Sequence, residues 1–328
     1  MRKESLLFLA LILASTLIVF PVIYGDTLDT ILTIGNTPPY ILRANMNIFI
    51  NTGDSAITLT ENSQVIVKCN ASLITDANGW QDINKLNGTI YHVSSNHQAA
   101  DDNNTHYTNQ TCSLETGSGT QRGGECIFRV QYYANNQTWS CNLTAWDAGV
   151  TGSSANLTNA TYANFTVNDL TALNVPADIN FGTINVGDTS LINKTNVTNT
   201  GNTILDISIY GYGNGINASD NAMNCTLGTN KNISLYYLRY NVTAGRHRDC
   251  NSNDFSWTAN YWNLTNYTNA KNWTQFTLPP RTGDADGGVA ANYTCWILRV
   301  PSTTDGLGAA DIGGVCRGVI AISAFVNE

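Results

Sequence analysis

The sequence predicts an all-β chain: two tandem β-sandwiches behind an N-terminal signal or anchor helix. Three observations carry that expectation. Short segments alternate apolar and polar residues, as half-buried strands do. Eight cysteines fall four and four along 328 residues. Nineteen N-x-Ser/Thr acceptor sites lie among the same segments. Asn136 to Gly149 shows all three together. Cys141, Leu143 and Ala145 share one face of a strand, and Asn142 and Thr144 the other. Trp139 precedes the cysteine by two, and Asn136 and Asn142 each begin an acceptor site.

The length suits about two domains of roughly 150 residues. Charged residues make up 12% of the chain, with net charge −8 and pI about 4.9. That is half the usual charged share of roughly 25%. A chain so poor in Lys and Arg is a poor match for nucleic acid, because phosphate contacts need clustered basic residues. Residues 1–25 read as a signal peptide or membrane anchor. Arg2 and Lys3 form a basic start, Leu6 to Ile23 an apolar run, and Gly25 a small residue before a cut. Either way the remainder is expected outside the cell, with membrane contact only through that helix if it stays uncleaved.

The cysteines are Cys69, Cys112, Cys126 and Cys141, then Cys225, Cys250, Cys295 and Cys316. With no C-x-x-C and scattered histidines they suit disulfides in an oxidising compartment better than zinc. The acceptor asparagines are Asn70, Asn87, Asn103, Asn109, Asn136, Asn142, Asn156, Asn159, Asn164, Asn193, Asn196, Asn217, Asn224, Asn232, Asn241, Asn263, Asn266, Asn272 and Asn292. Chance placement in this composition gives roughly eight sites. Asn70, Asn142 and Asn164 lie opposite apolar neighbours on their strands, so their side chains are expected to face solvent.

Asp26 to Ala44 reads as an extended leader, with a candidate strand at Thr30 to Ile34 ended by Pro38 and Pro39. Residues 45–169 read as the first sandwich. Gln64 to Leu73 alternates, and Asp76 to Gly79 is a turn. Thr89 to Val93 is a short strand and His97 to Thr111 a polar loop. Cys112 to Cys126 is a stapled hairpin around a Gly/Ser/Thr turn. Phe128, Val130 and Tyr132 point inward, and Thr161 to Val167 closes the sheet. Six or seven short strands separated by polar turns are the pattern of an immunoglobulin-like sandwich. Pairing Cys69 with Cys141 joins two sheets, and pairing Cys112 with Cys126 closes the hairpin. Trp80 lies in a turn, so no core tryptophan between the first pair is evident.

Residues 170–328 read as a second sandwich. Its opening, Ile179 to Gly187 followed by Asn196 to Asn202, has short strands with turns at Gly187 and Gly201. Ile320, Ile322 and Ala324 alternate in a terminal strand. Two pairings are open here. Sequence order suggests Cys225–Cys250 with Cys295–Cys316. Strand parity favours Cys225–Cys316 with Cys250–Cys295, and a bulge would restore the local answer.

The phrase FG-x-x-x-x-G followed by V-x-N-x-G resembles the opening of many extracellular immunoglobulin-like domains. Ser63 to Ile83, Cys126 to Gly149, Ile179 to Gly211 and Trp296 to Ala324 together resemble uncharacterised secreted surface proteins with tandem immunoglobulin-like domains, of small-genome archaea and bacteria. They cover about a third of the chain. The resemblance implies fold and location, and it carries no activity.

No catalytic constellation stands out. Gly53-Asp54-Ser55 looks like an esterase nucleophile block, but no partner Asp and His block lies near the C-terminus. The histidines, His92, His97, His106 and His247, read as ordinary surface residues. Asp76, Asn78 and Asp82 alternate around Gly79 and offer oxygens to calcium, and Asp284 with Asp286 does so more thinly. The simpler reading of both is an Asx turn. Trp257, Tyr261, Trp262, Tyr267 and Trp273 form an aromatic block that would stack on sugars or fill a core. A free leader strand would add to a neighbour's sheet edge or pair within its own domain.

The expectation is therefore a secreted, disulfide-stabilised, N-glycosylated surface protein, not an enzyme and without a cofactor, acting as an envelope-layer or filament component. Its partners would be copies of itself or other surface proteins. The alternative is an adhesin or carbohydrate-binding module.

Overall fold

The computed structural model describes residues 32, 35–50, 56–147, 153–154, 163–213, 215, 221–228, 231–242, 261–284, 291–302, 305 and 313–326. Among them the regular structure is strands and short 3-10 turns. No helix there is long and apolar enough to cross a membrane. The apolar run Leu6 to Ile23 lies outside the described residues.

The first half contains β1 (Tyr40–Ile41), β2 (Met46–Ile50), β3 (Ala56–Ile57), β4 (Gln64–Thr75), β5 (Ile83–His92), β6 (His106–Asn109), β7 (Ser113–Leu114), β8 (Gln121–Gln131), β9 (Gln137–Asp147), β10 (Ser153–Ser154) and β11 (Ala163–Val167). One sheet runs β1-β4-β8-β7, with β2 also on β4. The other runs β3-β11-β9-β5-β6, with β10 on β9. All these pairs are antiparallel except β3 with β11. The sheets close on one buried cluster. Val67, Cys69 and Ala71 come from β4, Phe128 and Val130 from β8, and Cys141, Leu143 and Ala145 from β9. The expected alternation thus sets the inward face of each long strand.

Several elements depart from the sequence reading. Tyr40 and Ile41 pair with Thr75 and Ile74, so the end of the leader belongs to the first sheet and the fold begins before residue 45. The candidate strand at Thr30 to Ile34 lies outside the described residues, save Leu32. The short strand at Thr89 to Val93 is the end of β5, which starts at Ile83. The polar loop from His97 to Thr111 contains β6, whose Tyr107 is buried beside Trp139. Polar side chains hid that strand because it lies at the sheet edge, where one face alone needs apolar residues. Trp139, not Trp80, is the core tryptophan. It is fully buried, stacks on Phe165 and donates from Nε1 to the Asn135 carbonyl at 2.8 Å.

The second half contains β12 (Leu173–Asn174), β13 (Asn193–Asn199), β14 (Leu205–Tyr212), β15 (Asn221–Leu227), β16 (Asn232–Ser234), β17 (Leu238–Val242), β18 (Trp262–Asn263), β19 (Lys271–Leu278), β20 (Ala291–Leu298), β21 (Gly313–Arg317) and β22 (Val319–Phe325). A five-stranded sheet, β12-β13-β20-β17-β18, is joined by two three-stranded sheets, β19-β14-β22 and β16-β15-β21. Their core is a second cluster centred on Trp296, which stacks on Tyr240 at 5.0 Å between ring centroids. Burial pushes the Tyr240 phenol up to about 12. The two clusters divide between Leu170, which packs on the first, and Leu173, which packs on the second.

Candidate functional site

Three disulfides join pairs of described residues: Cys69–Cys141, Cys112–Cys126 and Cys225–Cys316. The first joins β4 to β9 and so ties the two sheets together. The second closes the β7–β8 hairpin. The third links Cys225 to Cys316, directly opposite it on the neighbouring strand, as strand parity favours. Cys295 is also disulfide-bonded, and Cys250 lies outside the described residues. These bonds fit an oxidising compartment.

Sixteen of the acceptor asparagines are described. Asn103, Asn164, Asn196, Asn263 and Asn272 are exposed. Asn70, Asn87, Asn109, Asn136, Asn193, Asn224, Asn232, Asn266 and Asn292 are half-buried. Asn156, Asn159 and Asn217 lie outside the described residues. Two acceptor asparagines are buried, and of these Asn142 departs from the outward reading. Asn142 is 3% exposed and Asn241 is 5% exposed. Asn142 sits opposite Thr89 in the middle of its sheet. Asn241 sits opposite Cys295, with its Oδ1 accepting from the Val242 amide at 2.9 Å. Alternation tells which face of a strand a residue takes, but not whether that face is covered.

The aromatic block divides. Trp273 is core: it is 5% exposed and donates from Nε1 to the Tyr240 hydroxyl at 3.1 Å. Trp262 and Tyr267 stay exposed, and Lys271 lies 4.6 Å from the centre of the Trp262 ring. Trp257 lies outside the described residues, as do His247, Asp286 and the Gly53-Asp54-Ser55 triplet. Two histidines are not surface residues. His92 is buried, with Nε2 2.9 Å from the Asn136 carbonyl and Nδ1 2.7 Å from Ser94 Oγ. Burial lowers its pKa. His106 is buried with Nδ1 2.7 Å from Asp101 Oδ1.

One cluster has the make-up of a site. Asp76, Asp82 and Asp147 each bring a carboxylate oxygen within 4.8 Å of the others. The turn that follows β4 places the first two. Asp76 Oδ1 accepts from the Asn78 amide at 2.7 Å, which is the expected Asx turn. The Asp76 amide donates to the Thr120 carbonyl, and the Trp80 amide to the Gly119 carbonyl. Those bonds pin the turn against the β7–β8 hairpin. Asp147 arrives from the far end of β9, where it pairs with Ile83. Asn78 lies in the same turn, and its Oδ1 accepts from the Thr37 amide at 2.9 Å. Asp147 adds a carboxylate that strand pairing supplies and local spacing does not reveal.

Asp76 is fully buried, and its Oδ2 has no hydrogen-bond partner. Burial raises its pKa, and the Asp82 and Asp147 charges push the same way, against the Asn78 amide.

Compared with protein-family models and with curated proteins, the chain finds no match.

Proposed function

We propose that the chain is an extracellular surface protein: a glycosylated tandem of immunoglobulin-like sandwiches that serves as a structural or interaction component of the cell envelope. The observation that carries this reading is the joint placement of disulfides and acceptor asparagines. Sheets are stapled from within, and of the fourteen described acceptors that are exposed or half-buried, eleven stand on strands and three, Asn103, Asn136 and Asn266, on the loops between them. Glycans at such positions would cover sheet faces and strand edges, shielding them from proteases and unwanted pairing.

Strand order supports the immunoglobulin-like reading of the first half. One sheet has the succession A-B-E-D in β1, β4, β8 and β7. The other has G-F-C-C′ in β11, β9, β5 and β6. The Cys69–Cys141 bond then sits between strands B and F, where such domains carry their inter-sheet disulfide. The tryptophan departs from the antibody pattern, since Trp139 lies on F rather than C.

Negative-stain electron microscopy of material released from the native cell surface, with mass spectrometry for identity, tests the proposal. Regular sheets or filaments containing the chain are the expected result. Isolated particles would sink the structural role and favour an adhesin. The observation on that side is the exposed pair Trp262 and Tyr267, which suits stacking on sugar rings. Retention on a sugar column, lost in Trp262→Ala, would establish it. Trp273 plays no part in that reading, because it is core.

A further inference from the structure

We propose that Asp76, Asp82 and Asp147 bind a calcium ion that clamps the two sheets of the first sandwich at one end. Three carboxylates share one small volume. One of them, Asp76, is fully buried with an oxygen that no protein donor satisfies. Leaving an ionised carboxylate buried without a partner is costly, so such a group is either neutral or held by a cation. Among the described residues no Lys, Arg or His lies within ion-pair distance of Asp76. A bound cation resolves the arrangement for all three residues at once.

The donor set selects the ion. Every member is a hard carboxylate oxygen, and the group contains neither cysteine nor histidine. That disfavours zinc and copper. The donors come from a turn and a strand end, an irregular frame. Calcium accepts six to eight oxygens in flexible geometry, whereas magnesium demands a near-ideal octahedron. The half-buried Asp82 gives the site an approach from solvent.

The placement also gives the ion a structural task. Asp76 follows β4 in one sheet, while Asp82 precedes β5 and Asp147 ends β9 in the other. Cys69 and Cys141 join the same two strands, β4 and β9, seven and six residues earlier. At about 3.3 Å per residue the carboxylates lie roughly 20 Å from the disulfide. The sheets are thus joined covalently near mid-strand and ionically at the end.

The test uses the full-length oxidised protein, stripped with chelator and then titrated. Terbium is the probe, since Trp80 and Trp146 adjoin the cluster in sequence and can sensitise its luminescence. Saturable luminescence is expected, displaced by calcium and not by equal magnesium. Calcium should also raise the melting temperature. Asp147→Asn and Asp82→Asn should each weaken calcium binding at least tenfold, with the fold checked by circular dichroism. Asp178→Asn, at an exposed acidic position, should change nothing. Absence of both luminescence and a calcium-dependent melting shift in the wild type overturns the proposal. So does equal displacement by magnesium, or binding lost equally in Asp178→Asn. The wild-type titration decides the matter even if a variant fails to fold.

Discussion

The Asn202 side chain joins the two halves of the chain through Leu170. Its Oδ1 accepts from the Leu170 amide at 2.7 Å, while its Nδ2 donates to the Ala134 carbonyl at 2.8 Å and the Asn168 carbonyl at 3.1 Å. The turn around it is built for close approach. A Cβ on Gly201 would collide with the Leu170 carbonyl oxygen. Arg281, whose amide donates to the Gly201 carbonyl, lies 5.5 Å from the Tyr132 ring centre. Residues 37–328 accordingly form one compact unit.

Asn202→Ala should therefore do more than lower stability. It strands the buried Ala134 carbonyl and the half-buried Leu170 amide at the junction, at about 2–4 kcal/mol together. Gly201→Ala should cost about 1–3 kcal/mol by overpacking the same junction. Calorimetry should show one unfolding transition in the wild type and two in Asn202→Ala. A single transition, lowered but undivided, would mean that other contacts couple the halves.

The Cys69–Cys141 bond closes a separation of 72 residues, against 14 for Cys112–Cys126. The loop-entropy relation gives about 4 kcal/mol for the longer loop and about 3 for the shorter. Replacing Cys69 and Cys141 together by alanine should thus destabilise more than replacing Cys112 and Cys126. The cavity left by two fully buried sulfurs adds to the difference. Chemical denaturation of the two double variants checks the order.

The long strands β4, β8 and β9 of the first half were legible because they alternate. Val67, Cys69 and Ala71 repeat at period two, and Cys141 repeats with Leu143 and Ala145. What local patterning could not supply was long-range registry. The opposition of Asp147 to Ile83 depends on how β5 and β9 slide together, so local spacing did not reveal the third carboxylate. The burial of Asn142 depends on what covers the outer face of β9, and that of His92 and His106 on the packing at the end of β5 and the start of β6. Trp273 and Trp262 sit eleven residues apart in one aromatic run. Only the placement of β19 against the core separates the buried ring from the exposed one.

Glycan occupancy should follow exposure rather than the bare acceptor motif. Asn103, Asn164, Asn196, Asn263 and Asn272 project into solvent and are expected to carry glycans on the native protein. Asn142 and Asn241 should be unmodified in folded molecules, because a sugar at either would have to enter a buried site. Peptide mass spectrometry of the native glycoprotein reads this directly. A glycan on Asn142 in folded, disulfide-bonded material would mean that its strand face is open in solution.

The buried carboxylate of Asp76 gives the calcium proposal a pH signature whose sign depends on the ion. In chelator the folded-state pKa of Asp76 lies above its unfolded value, so between the two the native state holds more protons than the unfolded chain. Stability linked to this group is then present at low pH and lost as pH rises through the folded pKa. With saturating calcium the sign reverses. The bound ion requires an ionised Asp76, so acidification expels it and lowers stability. His92 adds a separate trend. Its pKa is lowered in the fold, which favours the native state at higher pH and costs stability as pH falls through the unfolded histidine value. Subtracting the profile of Asp76→Asn, in which His92 is unchanged, removes that trend. The difference profile should therefore slope one way in chelator and the opposite way in calcium. The same slope under both conditions would show that Asp76 holds no ion.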